Sequence, residues 1–311
     1  MIRRRVATFA IGIVLVLSLC LASLAQSPPP AEQDVANAYP GLASGALASA
    51  KLVVLPVGVL MSSGDLKITQ KDLNDEIAKS PVSVRAQLKN NGFFVLENLA
   101  IGRLVAAEAK AWAKQTGRKA GEDEATLMGA YFESITAGIS VADEELIAFY
   151  NGNRDMIGNA TFDQAKDGLK DYLMNQKRKE AVDSHIAGIS TRNKIEVSKS
   201  WAARQYPLAM NNPVDKARKS GKPTMVDFGA DKCRPCEMMT PILTSIKKDY
   251  AGKANVLFVH VRKEPILAAR YGVQAIPVQV FFDKTGAEIS RHVGFFPKEQ
   301  IIAKLAEVGV K

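Results

Sequence analysis

Cys233-Arg234-Pro235-Cys236 is where two thiols of this 311-residue chain stand close enough to act together. A thiolate is both a nucleophile and a metal ligand, so a C-x-x-C pair has two chemical readings. It is half of a zinc site, or it is a dithiol that cycles with its own disulfide. A tetrahedral zinc site needs two more Cys or His ligands. The third cysteine, Cys20, falls in an apolar N-terminal run, and His185, His260 and His292 lack a paired spacing. These histidines read as surface or strand residues, and no metal is expected. A stabilising disulfide closes a long loop, whereas a pair two residues apart closes almost nothing. The cysteines therefore read as chemical rather than structural.

Their position strengthens the dithiol reading. Thr224 to Gly229 (TMVDFG) forms an apolar strand, and after a short turn a helix opens at Cys233 and runs to about Tyr250. Free N–H groups and the helix dipole stabilise a thiolate at such an N-terminus, and the flanking Lys232 and Arg234 add positive charge beside it. Pro235 lies between the two thiols. Around this unit the pattern predicts a helix over 214–220, a strand over 256–261, a helix over 265–271 and a strand over 278–283. A turn at Lys284-Thr285-Gly286, a strand over 288–293 and a helix over 298–307 follow. Strands alternating with helices at this spacing imply a βαβ unit followed by a hairpin.

PTMVDFGADKCRPCEMMTPIL (223–243) and YGVQAIPVQVFFDKTGAEISRHVGFFPKEQI (271–301) together resemble the thioredoxin family over nearly a whole domain. The resemblance implies an α/β thioredoxin fold, a central mixed sheet flanked by helices, that performs thiol–disulfide exchange without a cofactor. It implies Cys233 as the attacking cysteine and Cys236 as the resolving one, joined in the oxidised state as a redox-active disulfide. Asp227 matches the buried acid that handles the proton of the resolving thiol. Pro277 matches the cis-proline facing the disulfide, and the backbone of Ile276 is then expected to pair with an extended substrate. Pro241 matches the proline that kinks the active-site helix, and Gly294 the glycine that keeps the binding surface open. The chain departs from the family at four places. Gly229 and Lys232 stand where aromatic residues are usual, Arg234 replaces a glycine, and Val278 replaces the threonine after the cis-proline. These changes remove apolar contact surface and add charge beside the nucleophile.

The remainder must deliver and support this chemistry. Residues 1–25 carry Arg3, Arg4 and Arg5 followed by an uncharged apolar run from Phe9 to Ala25, and Ser23-Leu24-Ala25 suits cleavage before Gln26. This reads as an export signal. The alternatives are an uncleaved membrane anchor and lipidation at Cys20, where Leu19 is a poor preceding residue. Residues 26–50 are rich in proline and then in small side chains and read as a linker. Residues 51–200 read as a helical module. Leu52 to Met61 is a short buried strand or extended segment, and Thr69 with Asp72 caps a helix over KDLNDEI. Helices follow over about 83–116, 123–136, 143–150 and 162–189. In the first of these, Phe93, Leu96, Ala100, Leu104, Ala107 and Ala111 form one stripe; in the last, Phe162, Ala165, Leu169, Tyr172 and Leu173 do.

GDLKITQKDLNDEI (64–77), FFVLENLAIGRLVAAEA (93–109), ISVADEELIAFYNGN (139–153) and TFDQAKDGLKDYLMNQKRKEA (161–181) resemble the N-terminal chaperone domain of SurA-type periplasmic proteins. That resemblance implies an all-α module that cradles extended apolar polypeptide; a spacer or dimerisation module is the alternative. No isomerase domain follows it, so prolyl isomerisation is not implied. The expected fold class is thus multidomain, a SurA-N-like module ahead of a thioredoxin fold over 201–311.

Composition excludes several classes. With 47% hydrophobic and 23% charged residues the chain is neither disordered nor fibrous. Its net charge of +9 sorts by region: residues 26–200 hold 20 basic and 22 acidic side chains, residues 201–311 hold 18 and 10. With no nucleic-acid motif, the basic balance reads as thiol tuning and attraction to acidic clients or lipid. The expected protein is an extracytoplasmic, periplasmic-type thiol–disulfide oxidoreductase whose partners are unfolded or disulfide-containing proteins and a redox protein that recycles the CRPC pair. Membrane contact is expected only through an uncleaved signal. A non-catalytic holdase is the alternative, and the direction of exchange stays open.

Overall fold

Short strands build two four-stranded sheets among the described residues, and helices connect and cover them. The computed structural model describes residues 33–43, 45–118 and 123–310; the expected signal segment, Cys20 included, lies outside these. The first part runs α1 (Val35–Ala38), β1 (Lys51–Val53), β2 (Val59–Ser63), β3 (Leu66–Thr69), α2 (Gln70–Lys79), α3 (Val82–Asn90) and α4 (Gly92–Gln115). It continues with α5 (Glu124–Thr136), α6 (Asp143–Gly152), α7 (Arg154–Ile157), α8 (Phe162–Ala187), α9 (Ile189–Arg192), β4 (Glu196–Ser198) and α10 (Lys199–Ala209). The second part holds α11 (Pro213–Arg218), β5 (Thr224–Gly229), α12 (Arg234–Asp249) and β6 (Asn255–His260). It ends with α13 (Pro265–Arg270), β7 (Val278–Phe282), β8 (Glu288–Val293) and α14 (Lys298–Glu307).

The first part is not all-α, contrary to the expectation from sequence. Its sheet has the order β1-β4-β2-β3, with β1 parallel to β4 and β2 antiparallel to both β4 and β3. The apolar run 52–61 splits around Pro56 into two strands. β4 is only Glu-Val-Ser and carries no periodic signal, yet it pairs Leu52 with Val197 across the whole helical stretch. Within the expected linker, residues 33–43 and 45–50 pack against the helical core. Asp34 caps α1, Leu42 and Leu47 are buried, and the Glu97 carboxylate accepts the N–H groups of Gly45 and Leu47 at 3.0 and 2.9 Å. Small side chains such as Ala46 and Ala50 permit that close approach rather than marking disorder.

The helix expected over 83–116 breaks at Asn91 into α3 and α4. Phe93, Leu96, Ala100 and Leu104 face the core as expected. Beyond them the buried face moves to Val105 and Ala109, leaving Ala107 and Ala111 exposed. The stripe expected on α8 is only half-buried, and Tyr172 stays exposed against Phe149. α10 belongs to this first core, since Trp201 stacks on Phe93 at 5.9 Å and Ala202 and Ala209 are buried with it. The boundary therefore falls between α10 and α11, beyond the expected residue 200.

The second sheet has the order β6-β5-β7-β8, with β5 parallel to β6 and antiparallel to β7, and β7 antiparallel to β8. This is the βαβ unit and hairpin that the pattern implies. On one face Val226, Phe228, Val280 and Phe282 pack with Val214, Leu267 and Tyr271. On the other, Met225 and Phe281 pack with Met239 and Ile246 of α12 and Ile301 and Leu305 of α14.

The two parts form one compact unit. Arg270, its side chain 5% exposed, joins them: its guanidinium donates to Asn91 Oδ1 at 3.2 Å and to the carbonyls of Ala209 and Gly41 at 2.9 and 3.0 Å. It also pairs with buried Asp215 at 3.3 Å. Gln87 donates to the Lys263 carbonyl at 2.7 Å across the same boundary. No helix of the described residues is long and apolar enough to cross a membrane.

Candidate redox site

β5 is buried along its whole length, as a strand with neighbours on both edges and helices on both faces must be. It ends at Gly229, and residues 230–232 turn the chain into α12. Lys232 adopts φ 58°, a left-handed conformation that an L side chain resists. Cys233 is the N-cap of α12 and its sulfur accepts the N–H of Cys236 at 3.4 Å. Pro235 sits in the first turn, where its missing N–H forfeits no helix bond. Cys233 and Cys236 form a disulfide with Cα atoms 5.2 Å apart. Cys233 is half-buried and Cys236 buried, so one sulfur faces the outside and the other the interior. Lys232, Arg234 and Pro235 lie on the same turn, all three exposed.

Opposite the disulfide the Ile276–Pro277 peptide is cis, and the Ile276 carbonyl oxygen lies 4.0 Å from Cys233 Sγ. The Pro277 carbonyl accepts the N–H of Gly294 at 2.8 Å, and Gly294 has φ 102°, open to glycine and strained for other residues. Val293 and Phe295 flank it, exposed. Val278 turns into the far-side cluster with Val226 and Val280, so its side chain does not face the disulfide. Pro241 lies within α12 and removes one helix N–H there.

Asp227 is on the α12 face of β5, in line with Gly229, where a Cβ would stand 3.5 Å from Cys236 Sγ. The carboxyl is fully buried; Oδ1 accepts Gln279 Nε2 at 2.7 Å and Oδ2 has no partner. Burial pushes its pKa up to about 6, and the Gln279 hydrogen bond pulls the other way. Sequence reasoning did not single out Gln279. Its signal was available: it is the polar residue in the strand VQVFF, and antiparallel register sets it opposite Asp227.

One further residue escaped notice. Phe258 occupies the space beside Gly229, where an added Cβ would come within 2.9 Å of Phe258 Cε2. The missing aromatic at 229 is thus replaced in space from β6. Phe258 also lines a cleft of about 380 Å³ between α12 and β6, together with Cys236, Thr240 and Leu243. His260, expected as a bland strand residue, sits 3.0 Å from the Asp231 carboxylate and holds the loop that leads to Cys233. That pairing lowers the Asp231 pKa. His292 stacks on Phe296 at 4.0 Å, and His185 lies in the first part beside Glu108 at 2.9 Å.

The fold therefore gathers Cys233, Cys236, Asp227, Ile276 and Pro277 from β5, α12 and the start of β7. The result is an outward sulfur under a backbone acceptor, an inward sulfur, and a desolvated carboxyl on the inner side. Residues 208–307 match the Thioredoxin family. The chain is similar to the thioredoxin of Alicyclobacillus acidocaldarius, 37% identical over 93 residues, which is 30% of this chain and 88% of the relative. It is also similar to thioredoxin of Staphylococcus aureus, 43% identical over 77 residues, 25% of this chain and 73% of the relative. Through its C-terminal domain, the chain belongs to the thioredoxin family.

Proposed function

We propose that this protein is an exported thiol–disulfide oxidoreductase that exchanges disulfides with protein substrates through Cys233 and Cys236. The observation that carries the reading is the CRPC disulfide at the N-terminus of α12, with the Cys233 sulfur facing the Ile276 carbonyl at 4.0 Å. An extended client strand lying along Ile276 presents its own disulfide to that sulfur. Cys233 forms the mixed disulfide and Cys236 resolves it, while a partner redox protein recycles the pair. Lys232 and Arg234 favour the thiolate of Cys233 by their charge. The basic and then apolar residues 1–25, and the absence of other cysteines from the remaining chain, support work outside the cytoplasm. The SurA-like first part recruits unfolded clients, for which the exposed Ile147, Tyr172, Val54 and Val57 offer apolar surface. The test is reduction of insulin disulfides and oxidative refolding of a reduced client by residues 26–311 and by Cys233→Ser. Activity lost in the variant supports the exchange reading. Equal behaviour of the two in both assays, with aggregation still suppressed, identifies a holdase instead.

A further inference from the structure

We propose that Gln279 is a positioning residue for the exchange reaction: its amide partners the Asp227 carboxyl in both protonation states, so the closed interior can take up the Cys236 proton. This rests on the reading of Cys233 and Cys236 as an exchanging pair.

Strand register lays Phe258, Asp227, Gln279 and His292 in one row across β6, β5, β7 and β8. The row lies on the face covered by α12 and α14, and Asp227 and Gln279 are both 0% exposed. Gln279 Nε2 donates to Asp227 Oδ1 at 2.7 Å, which suits an ionised carboxylate. Asp227 Oδ2 and Gln279 Oε1 are both buried acceptors without a donor. One proton on Asp227 relieves that shortage, because an O–H on the carboxyl can donate to Gln279 Oε1 once the amide turns about its last torsion. A side chain with a donor alone serves only the ionised acid, and an apolar one serves neither form; an amide carries both functions.

Other titratable groups on this face are Cys236 from α12, with Cys233 beyond it, His260 from β6 and His292 from β8. Asp231 and Lys232 lie on the connecting loop. His260 is engaged by Asp231 and His292 by the Phe295 carbonyl, while Met225, Met239, Phe258, Phe281, Ile301 and Leu305 are apolar.

In the resolving step the Cys236 S–H proton passes to Asp227 and the Cys236 sulfur attacks the Cys233 sulfur of the mixed disulfide. The Cys233–client S–S bond breaks and the client sulfur leaves as a thiolate. Two electrons have then passed from the CRPC pair to the client disulfide, and the proton rests on Asp227 under Gln279 until solvent removes it. The reverse direction returns the proton along the same pair.

The test is single-turnover release of thiol from a fluorescent peptide disulfide by the reduced protein, from pH 5 to 9. It compares the wild type, Gln279→Met, Asp227→Asn and the double variant. Loss of the donor raises the Asp227 pKa further, so the Gln279→Met profile is expected to move alkaline by about half a unit or more, slowing the pH 6 rate about twofold or more. No further shift is expected when Gln279→Met is added to Asp227→Asn. Gln279→Asn, too short to reach, serves as a second variant with the same expectation. An unmoved profile overturns the proposal, as does a shift that persists without Asp227. Absence of turnover in the wild type overturns the exchange reading instead. The pair is then judged by the carboxyl carbon-13 titration of Asp227, which rises in Gln279→Met if the proposal holds and stays put if it does not.

Discussion

Asp227→Asn separates the chemistry of the site from its stability. The buried carboxyl titrates at about 6 instead of 3.8, so folding disfavours its ionised form. At about 1.36 kcal/mol per unit, the full penalty is about 3 kcal/mol. Its pH window follows from the sign of the shift. Below 3.8 folded and unfolded chains both hold the proton and the penalty is absent. Between 3.8 and 6 the folded chain keeps a proton that the unfolded chain has lost, so stability falls as pH rises. Linkage puts the penalty at about 0.5 kcal/mol at pH 4 and about 3 kcal/mol at pH 8. The Asp227→Asn substitution removes it, because an amide is uncharged at every pH and can donate to the orphaned Gln279 Oε1. Urea unfolding of the oxidised wild type and variant at pH 4, 6 and 8 reads the difference directly. The variant's advantage is expected to grow by about 2.5 kcal/mol from pH 4 to 8. A difference flat to within about 0.5 kcal/mol would show that the carboxyl is solvated, and the reasoning about its proton would fall with it.

Arg270→Ala strips Asp215 of one buried cation and frees the Gly41, Asn91 and Ala209 acceptors. A loss of about 3 kcal/mol is expected, with the single urea transition splitting in two; a loss under about 1 kcal/mol in one transition refutes the clasp. Gly229→Trp collides with Phe258 and is expected to cost about 1–3 kcal/mol, most of it regained in the double variant with Phe258→Ala. Equal melting of the single variant and the wild type refutes that account of the missing aromatic. Glu97→Ala is expected to cost about 1–3 kcal/mol and to speed hydrogen exchange at the Gly45 and Leu47 amides. Unchanged exchange there means the segment is held by something else.

What could be read from sequence depended on how local the determinants are. β5, the helix opening at Cys233 and the β7–β8 hairpin each carry their signal within a few residues, and the structure places them within a residue or two of the expected bounds. The first sheet was hidden because its determinant is a pairing between distant short strands, Leu52 with Val197, and a three-residue strand has no period. The packed segment before Ala50 was hidden because Ala, Gly and Ser serve a linker and a tight turn equally well. The break at Asn91 was marked by the Asn91-Gly92 dipeptide, a turn signal that the apolar stripe running on from Phe93 outweighed. At the site, the cysteines were legible as types at a spacing. Gln279 and Phe258 matter only through register with Asp227 and Gly229, which no single segment displays.

The parallel pairing of β1 with β4 has a consequence for how the chain comes into being. β1 is made early, but its neighbour at Glu196–Ser198 emerges only after α2 to α9 have been synthesised, and Trp201 later still. Closing so long a loop is entropically slow compared with forming the β2–β3 hairpin. A ribosome therefore releases a long stretch of helices before their sheet can zip shut. The redox domain, assembled from the last third of the chain, follows without delay. The sheet of the first part thus stays open for most of its own synthesis, and agents that bind nascent chains have the longest access to it.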